Sequence, residues 1–265
     1  MIKSVDLAVF AGQSNMSGRG NASEAPECNT GYEYKVISSP DKLVPIKEPF
    51  GLGEDKTGGL DDRYDGGTRR TGSMISAFVN EYYKTCHRQL VAVSASKGGT
   101  NTTEWLNGLV FDAAYRLDKA KKYLTGNEIC IDRIFVVWSQ GESDGDAKQS
   151  AEGYMNNLKQ IFDIFKSHGA EKCFIIQTGH YNYIQYPDMA NGLTGEEWDK
   201  RYKIIRDAQK ALCEADGDFV FAASFEPYIN DMKDRFHYNQ SAYNAVGKTA
   251  GIKAGEILNN EGNEQ

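Results

Sequence analysis

Short apolar runs bounded by Gly and polar residues alternate along the chain with longer segments of helical period. Residues 5–11 form an apolar run closed by Gly12 and read as a first strand. Met74, Ile75, Phe78, Val79 and Tyr82 recur at helical spacing, which predicts a helix over 72–88. Residues 90–93 give a second buried strand, followed by the Gly-rich segment SASKGGT. A helix is predicted over 110–124, ending at Gly126. Residues 131–138 are almost wholly apolar, as expected of a parallel strand covered on both faces. A helix over about 147–168, a fourth strand at 173–177, a helix at 196–214, a fifth strand at 219–222 and a last helix at 240–258 complete the series. The tail NNEGNEQ is polar and expected to fray.

Strands alternating with helices predict a three-layer α/β/α fold, flavodoxin-like and doubly wound, around a mostly parallel five-stranded sheet. One domain over 1–265 is expected, with a long loop insertion at about 19–71. That insertion is rich in Gly, Pro and charge. Its two strand-like pieces, 32–38 and 42–47, suggest a hairpin, and loops of this length are usually functional or mobile. In such folds ligands bind beyond the carboxyl ends of the strands. The segments there are GQSN, SKGGT, SQGESD, TGHYN and, further on, DRFH.

Composition narrows the classes. A net charge of −7 and a pI of about 5.2 argue against a nucleic-acid partner. No run of ~18 apolar residues exists to span a membrane, and the first apolar run is too short for a signal peptide. The five cysteines, at 28, 86, 130, 173 and 213, are irregularly spaced with no CxxC pair, so no metal framework or disulfide set is visible. Buried thiols in a reducing, cytoplasmic compartment are the expectation.

Ser14 directly follows the first strand, in Gly12-Gln13-Ser14-Asn15-Met16. A serine at a tight strand-to-helix turn can project its Oγ into the cleft. It can equally be an ordinary turn or N-cap residue, because a hydroxyl is a weak nucleophile without a base. Of the four histidines, His87 and His168 sit near polar helix ends, and His180 has no carboxylate close by in sequence. His237 lies three residues after Asp234, which can reach Nδ1 and leave Nε2 for a serine. Acyl transfer also needs preset donors for an oxyanion. The Ser14 N–H, a backbone N–H at Gly98 or Gly99, and the Gln140 side chain are available at strand ends.

GQSNMSG, SKGGTNTTEW, WSQGESD and DRFH, in this order, resemble the blocks of the SGNH-hydrolase superfamily. The match is to the carbohydrate-esterase branch that includes acetylxylan esterases of carbohydrate esterase family six and sialate O-acetylesterases. It spans residues 8 to about 247. The resemblance implies Ser14 as nucleophile, His237 as base and Asp234 as its orienting acid. It puts oxyanion donors at the Ser14 N–H, Gly98 and Gln140. Gln13 stands where the superfamily at large has Asp, and Gln140 where it has Asn; both departures fit the carbohydrate-esterase branch rather than a lipase.

Glu142 is the alternative partner of His237, or a carboxylate bonding to backbone around Ser14. Gln13, Arg69, Arg70 and Trp105 are candidate substrate contacts: an arginine can grip a sugar carboxylate, and Trp105 can stack on a ring or belong to the core. The Tyr181, Tyr183 and Tyr186 cluster has the same ambiguity. The expected activity is hydrolysis of O-acetyl esters on sugars, on acetylated xylan oligosaccharides or sialic acid, through an acyl-enzyme and with no metal or cofactor. The expected partner is an acetylated carbohydrate, not a nucleic acid or membrane. A non-catalytic carbohydrate-binding protein and a two-carboxylate glycosidase are the competing readings.

Overall fold

The computed structural model describes residues 2–189 and 192–262, without the side chains of 261 and 262. The chain enters through β1 (Ser4–Gly12) and a single helical turn, α1 (Ser14–Ser17). The long segment that follows contributes β2 (Gly31–Lys35), β3 (Ser39–Pro45) and a small hairpin of β4 (Arg63–Tyr64) and β5 (Gly67–Thr68). Then come α2 (Ile75–Cys86), β6 (Leu90–Ser96), α3 (Thr102–Glu104), α4 (Val110–Gly126) and β7 (Cys130–Ser139). The chain closes with α5 (Glu142–Asp146), α6 (Ala151–Ser167), β8 (Lys172–Gln177), α7 (Gly195–Ala215), β9 (Phe219–Ser224) and α8 (Gln240–Gly262).

The five predicted strands, β1, β6, β7, β8 and β9, pair in parallel, and the predicted hairpin adds two more. The sheet therefore has seven strands rather than five, in the order β3-β2-β6-β1-β7-β8-β9. β2 runs parallel to β6, and β3 returns antiparallel to form the edge. The insertion thus contributes two strands to one edge of the sheet. The helix expected over about 147–168 is α6, which begins at Ala151 because Ser150 caps it by accepting from the Gly153 N–H; the short α5 before it was not expected. The last helix runs on to Gly262, past the predicted end; of the tail, 263–265 lie outside the described residues.

Side-chain alternation along β1 explains the three layers. Val5, Leu7, Val9 and Ala11 enter the core beneath α4, α6 and α7, while Ala8 and Phe10 enter the one beneath α2 and α8. Both faces of the strand are buried, hence its near-continuous apolar run. β1 lies between β6 and β7, so the chain leaves it in opposite directions and opens a crevice at its carboxyl end. No helix among the described residues is long and apolar enough to cross a membrane.

α8 lies close against α2 because Gly247, Gly251 and Gly255 share one helix face. A Cβ at Gly247 would overlap the Met74 carbonyl oxygen, and one at Gly251 that of Phe78. Two effects therefore oppose each other at Gly251. Helix propensity favours Gly→Ala by about 1 kcal/mol, whereas overpacking costs about 1–3 kcal/mol. The overlap is with backbone, which cannot step aside, so Gly251→Ala is expected to lower the urea midpoint rather than raise it.

Candidate active site

The register of the central strands fixes where the motifs meet. Gly12 is opposite Ser96 on one side and Ser139 on the other, so GQSN, SKGGT and QGES all begin at one level. Gly12 has φ of 138°, and a Cβ there would overlap the Ser139 carbonyl. The Gln13 N–H still bonds to the Ser139 carbonyl at 2.9 Å, after which the chain turns. Met16 and Ser17 both donate to the Gln13 carbonyl, leaving the Ser14 N–H without a partner among the described residues.

Ser14 Oγ lies 3.0 Å from His237 Nε2, and His237 Nδ1 lies 2.9 Å from Asp234 Oδ2. The other Asp234 oxygen accepts from the Phe236 and His237 N–H groups at 2.8 and 2.9 Å. Burial alone would raise the Asp234 pKa; the bond and charge of His237 and these two N–H groups outweigh it and hold the carboxyl down at about 2. Because that value is below the ordinary ~3.9, its ionisation favours the fold above about pH 4. That contribution is lost as pH falls through about 2.

Asn15, which sequence reasoning passed over, ties the loop of His237 to the turn of Ser14. Its Nδ2 donates to Glu142 Oε1 at 2.5 Å and to the Phe236 carbonyl at 3.1 Å, and its Oδ1 accepts from the Tyr243 hydroxyl at 2.7 Å. Its place in the GQSN block, beside the serine, was the available signal. Of the two candidate partners of His237, Asp234 makes the contact; Glu142 bonds to Asn15 instead. Burial pushes the Glu142 carboxyl above its usual range, against the pull of its own N–H and of Asn15.

The candidate oxyanion donors fare differently. Gly98 reaches the cleft, but its N–H donates to Asp62 Oδ1 at 2.7 Å, an oxygen that also takes Arg19 Nη2 at 2.8 Å. Gln140 is a correction. Its side chain is fully buried, and its Nε2 donates to the Thr100 carbonyl at 3.0 Å and to Asp144 Oδ2, so neither hydrogen faces Ser14. Gln13 lines the cleft with its Oε1 accepting from the Gly141 and Ser143 N–H groups, both at 3.3 Å.

The cleft holds about 290 Å³ and is lined by Ser14, His237 and Phe236, the Gly98–Gly99 turn, Arg69, and Ser143 with Asp146. Arg69 is exposed, lies 4.3 Å from the Tyr64 ring centroid and has no carboxylate partner among the described residues. Arg70 is corrected: it is 1 % exposed and grips Ser96 Oγ and O at 3.0 and 2.9 Å and Asp55 at 3.2 Å. Of the two alternatives for Trp105 the core one holds: it is wholly buried edge-on to Trp138 with its Nε1 donating to Thr100 Oγ1. Tyr181 is buried too, while Tyr186 flanks a shallow hollow beside Asp234, Phe236 and His237. His180 has a carboxylate through space, Asp199 at 2.7 Å, which Arg206 also grips from two nitrogens, at 3.0 and 3.1 Å. That pair lies outside the cleft lining. Among the described residues no group of three or more His, Cys, Asp or Glu side chains could hold a metal ion.

These placements separate the two neighbouring arginines. Arg70→Ala takes the ion-pair partner from Asp55, whose side chain is 5 % exposed and keeps only the Asp62 N–H, which costs about 3–5 kcal/mol. Arg69→Ala, at the surface, changes stability by no more than about 0.5 kcal/mol. Urea unfolding of both variants measures the difference; equal midpoints would contradict the assignment.

Residues 4–254 match the family model described as carbohydrate esterase, sialic acid-specific acetylesterase. No curated protein matches the chain. Among solved structures the chain is similar to a protein from Arabidopsis thaliana, at 18 % identity, covering 96 % of this chain and 98 % of that one with a TM-score of 0.66. It is also similar to a carbohydrate acetylesterase from Xanthomonas citri, at 15 % identity over 96 % of this chain and 54 % of that one, TM-score 0.49. A catalytic mutant of an acetylxylan esterase from Geobacillus stearothermophilus is 9 % identical over 96 % of this chain and 95 % of that one, again with a TM-score of 0.49. The match along nearly the whole length decides the matter: this chain belongs to the carbohydrate esterase family of sialic acid-specific acetylesterases, and it is a carboxylic ester hydrolase of the carbohydrate acetylesterase kind.

Proposed function

We propose that this acetylesterase works through an acyl-enzyme on Ser14 and that its substrate is an O-acetylated acidic sugar. The observation that carries the mechanism is the unbroken relay of Asp234, His237 and Ser14, with spacings of 2.9 and 3.0 Å. Ser14 Oγ attacks the acetyl carbonyl carbon while its proton passes to His237 Nε2, and the carbonyl electron pair moves onto oxygen. Asp234 fixes the tautomer and stabilises the imidazolium. Collapse breaks the bond to the sugar oxygen, which takes the proton from His237. Water, deprotonated by the same imidazole, then attacks the acetyl-serine, and acetate leaves with Ser14 Oγ reprotonated.

The substrate reading rests on Arg69. A guanidinium that lines the cleft without a carboxylate of its own is suited to a bidentate grip on a sugar acid. The family description also names sialic acid. Ser143 and Asp146, on the same wall, offer hydrogen bonds to sugar hydroxyls.

Acetate release from an aryl acetate is expected to fall by about 10³-fold or more in Ser14→Ala. Asp234→Asn should lose about 10²–10⁴-fold in kcat, the usual contribution of an oriented general base, and considerably more than Glu142→Gln. A Ser14→Ala enzyme with undiminished turnover would end this reading. Substrate class is tested separately. Arg69→Gln should raise KM for an O-acetylated sialic acid by about tenfold or more, the worth of one charge-assisted bond. KM for a neutral acetylated xylo-oligosaccharide should stay unchanged; equal shifts on both would remove Arg69 from the argument.

A further inference from the structure

Donor accounting in the cleft leads to a role for a residue one position before the nucleophile. The inference rests on the acyl-enzyme reading above. A tetrahedral intermediate on Ser14 needs donors that are free when its negative oxygen forms. The two non-serine donors that the sequence resemblance assigns are both committed. The Gly98 N–H is held by Asp62, whose carboxylate is itself held by Arg19. Gln140 gives its Nε2 hydrogens to Thr100 and Asp144 and lies outside the cleft lining. Releasing Gln140 would take its amide from the Thr100 carbonyl, and releasing Gly98 would leave Asp62 Oδ1 with Arg19 alone. Donors left without a partner among the described residues include the Gly99 N–H across the cleft and, at the nucleophile's own turn, the Ser14 N–H and the Gln13 amide.

The orientation of the Gln13 amide is decided by its partners. Two backbone N–H groups, of Gly141 and Ser143, point at one end of it, and N–H groups require an acceptor. That end is Oε1, so the other end is Nε2. Among the described residues Nε2 has no partner, and it is absent from the buried orphan atoms, so it keeps contact with the open cleft that Gln13 lines. Gln13 is also held at its backbone, its N–H on the Ser139 carbonyl and its carbonyl under the Met16 and Ser17 N–H groups. A donor fixed at both ends and open on the third side is preorganised in the sense that catalysis requires.

We propose that Gln13 Nε2 is the side-chain donor of the oxyanion hole, acting with the Ser14 N–H. As Ser14 Oγ bonds the acetyl carbon and the carbonyl electron pair moves onto oxygen, Gln13 donates to that oxygen. The bond is kept until collapse returns the electron pair and the sugar leaves.

Gln13→Glu preserves an oxygen for the Gly141 and Ser143 N–H groups but cannot donate; Gln13→Met removes the donor without adding charge. Both variants are expected to lose about 10²–10³-fold in kcat on an aryl acetate with little change in KM, and to react with an aryl methylphosphonate more slowly by a similar factor. Wild-type kcat in either variant overturns the proposal; in particular, a loss in Gln13→Glu alone would mean charge repulsion rather than a lost donor. A crystal structure of the wild-type phosphonate adduct tests the point without any variant. A phosphonyl oxygen within about 3 Å of Gln13 Nε2 supports it, and one held by Gly98 or Gln140 instead overturns it. Failure of the phosphonate to label Ser14 would sink the serine mechanism itself, whereas a labelled Ser14 with its oxygen turned from Gln13 sinks only this inference.

Discussion

The close passage of β1 between β6 and β7 is the constraint on which the site depends. Gly12 sits where three strand ends come level, and its missing side chain lets the Ser139 carbonyl approach. Were β1 displaced by one residue, every side chain along it would change face, and Ser14 would no longer stand at the crevice. A buried parallel sheet resists such a slip, because each of its strands is committed to apolar layers on both sides. Ser14 is therefore positioned by the core, whereas His237 and Asp234 stand on the loop before α8.

Around that anchor, buried polar groups join segments far apart in sequence. Asn15 bonds at once to Glu142 after β7, to the Phe236 carbonyl beside His237 and to Tyr243 on α8. Phe236 is thus fixed relative to the turn of Ser14, and His237 with it. The insertion contributes Asp62, whose carboxylate reaches Gly98, and Arg70, which clasps the end of β6 at Ser96. Buried polar groups of this kind are stabilising only when matched, so these loops fold onto the crevice in one arrangement. What began in sequence as a long polar excursion is a wall of the active site.

The same physics explains what could be read from sequence. The five parallel strands and most helices follow from local periodicity, and the proximity of Ser14, His237 and Asp234 follows from strand ends plus a three-residue spacing. For Arg70 and Gln140 residue type says what a side chain can do, not what already occupies it, and for Trp105 it is the core alternative that holds. Arg70 is taken by Asp55 and Ser96, and Gln140 by Thr100 and Asp144, partners supplied by the fold. His180 shows the converse: without a nearby carboxylate in sequence, it receives Asp199 from α7. The reversal of the two glutamines has this origin as well. Both follow strands, both carry an amide, and only hydrogen-bond commitments distinguish the one that lines the cleft from the one that braces it.

Environment likewise divides the two carboxylates near the base. Asp234 is half exposed and receives two N–H groups and the imidazole, so its charged form is favoured and its pKa is pulled down to about 2. Glu142 is buried, accepts from Asn15, and has its other oxygen unpartnered, so its charged form is disfavoured. A group that must stabilise a transient imidazolium has to be negative before the proton arrives. A group that only holds Asn15 in place need not be. The opposite displacement of the two pKa values is what acid–base division of labour within one site requires. It supports the proposal that Asp234 is the electrostatic partner and Glu142 the brace, as the contacts of Asp234 with His237 and of Glu142 with Asn15 also do.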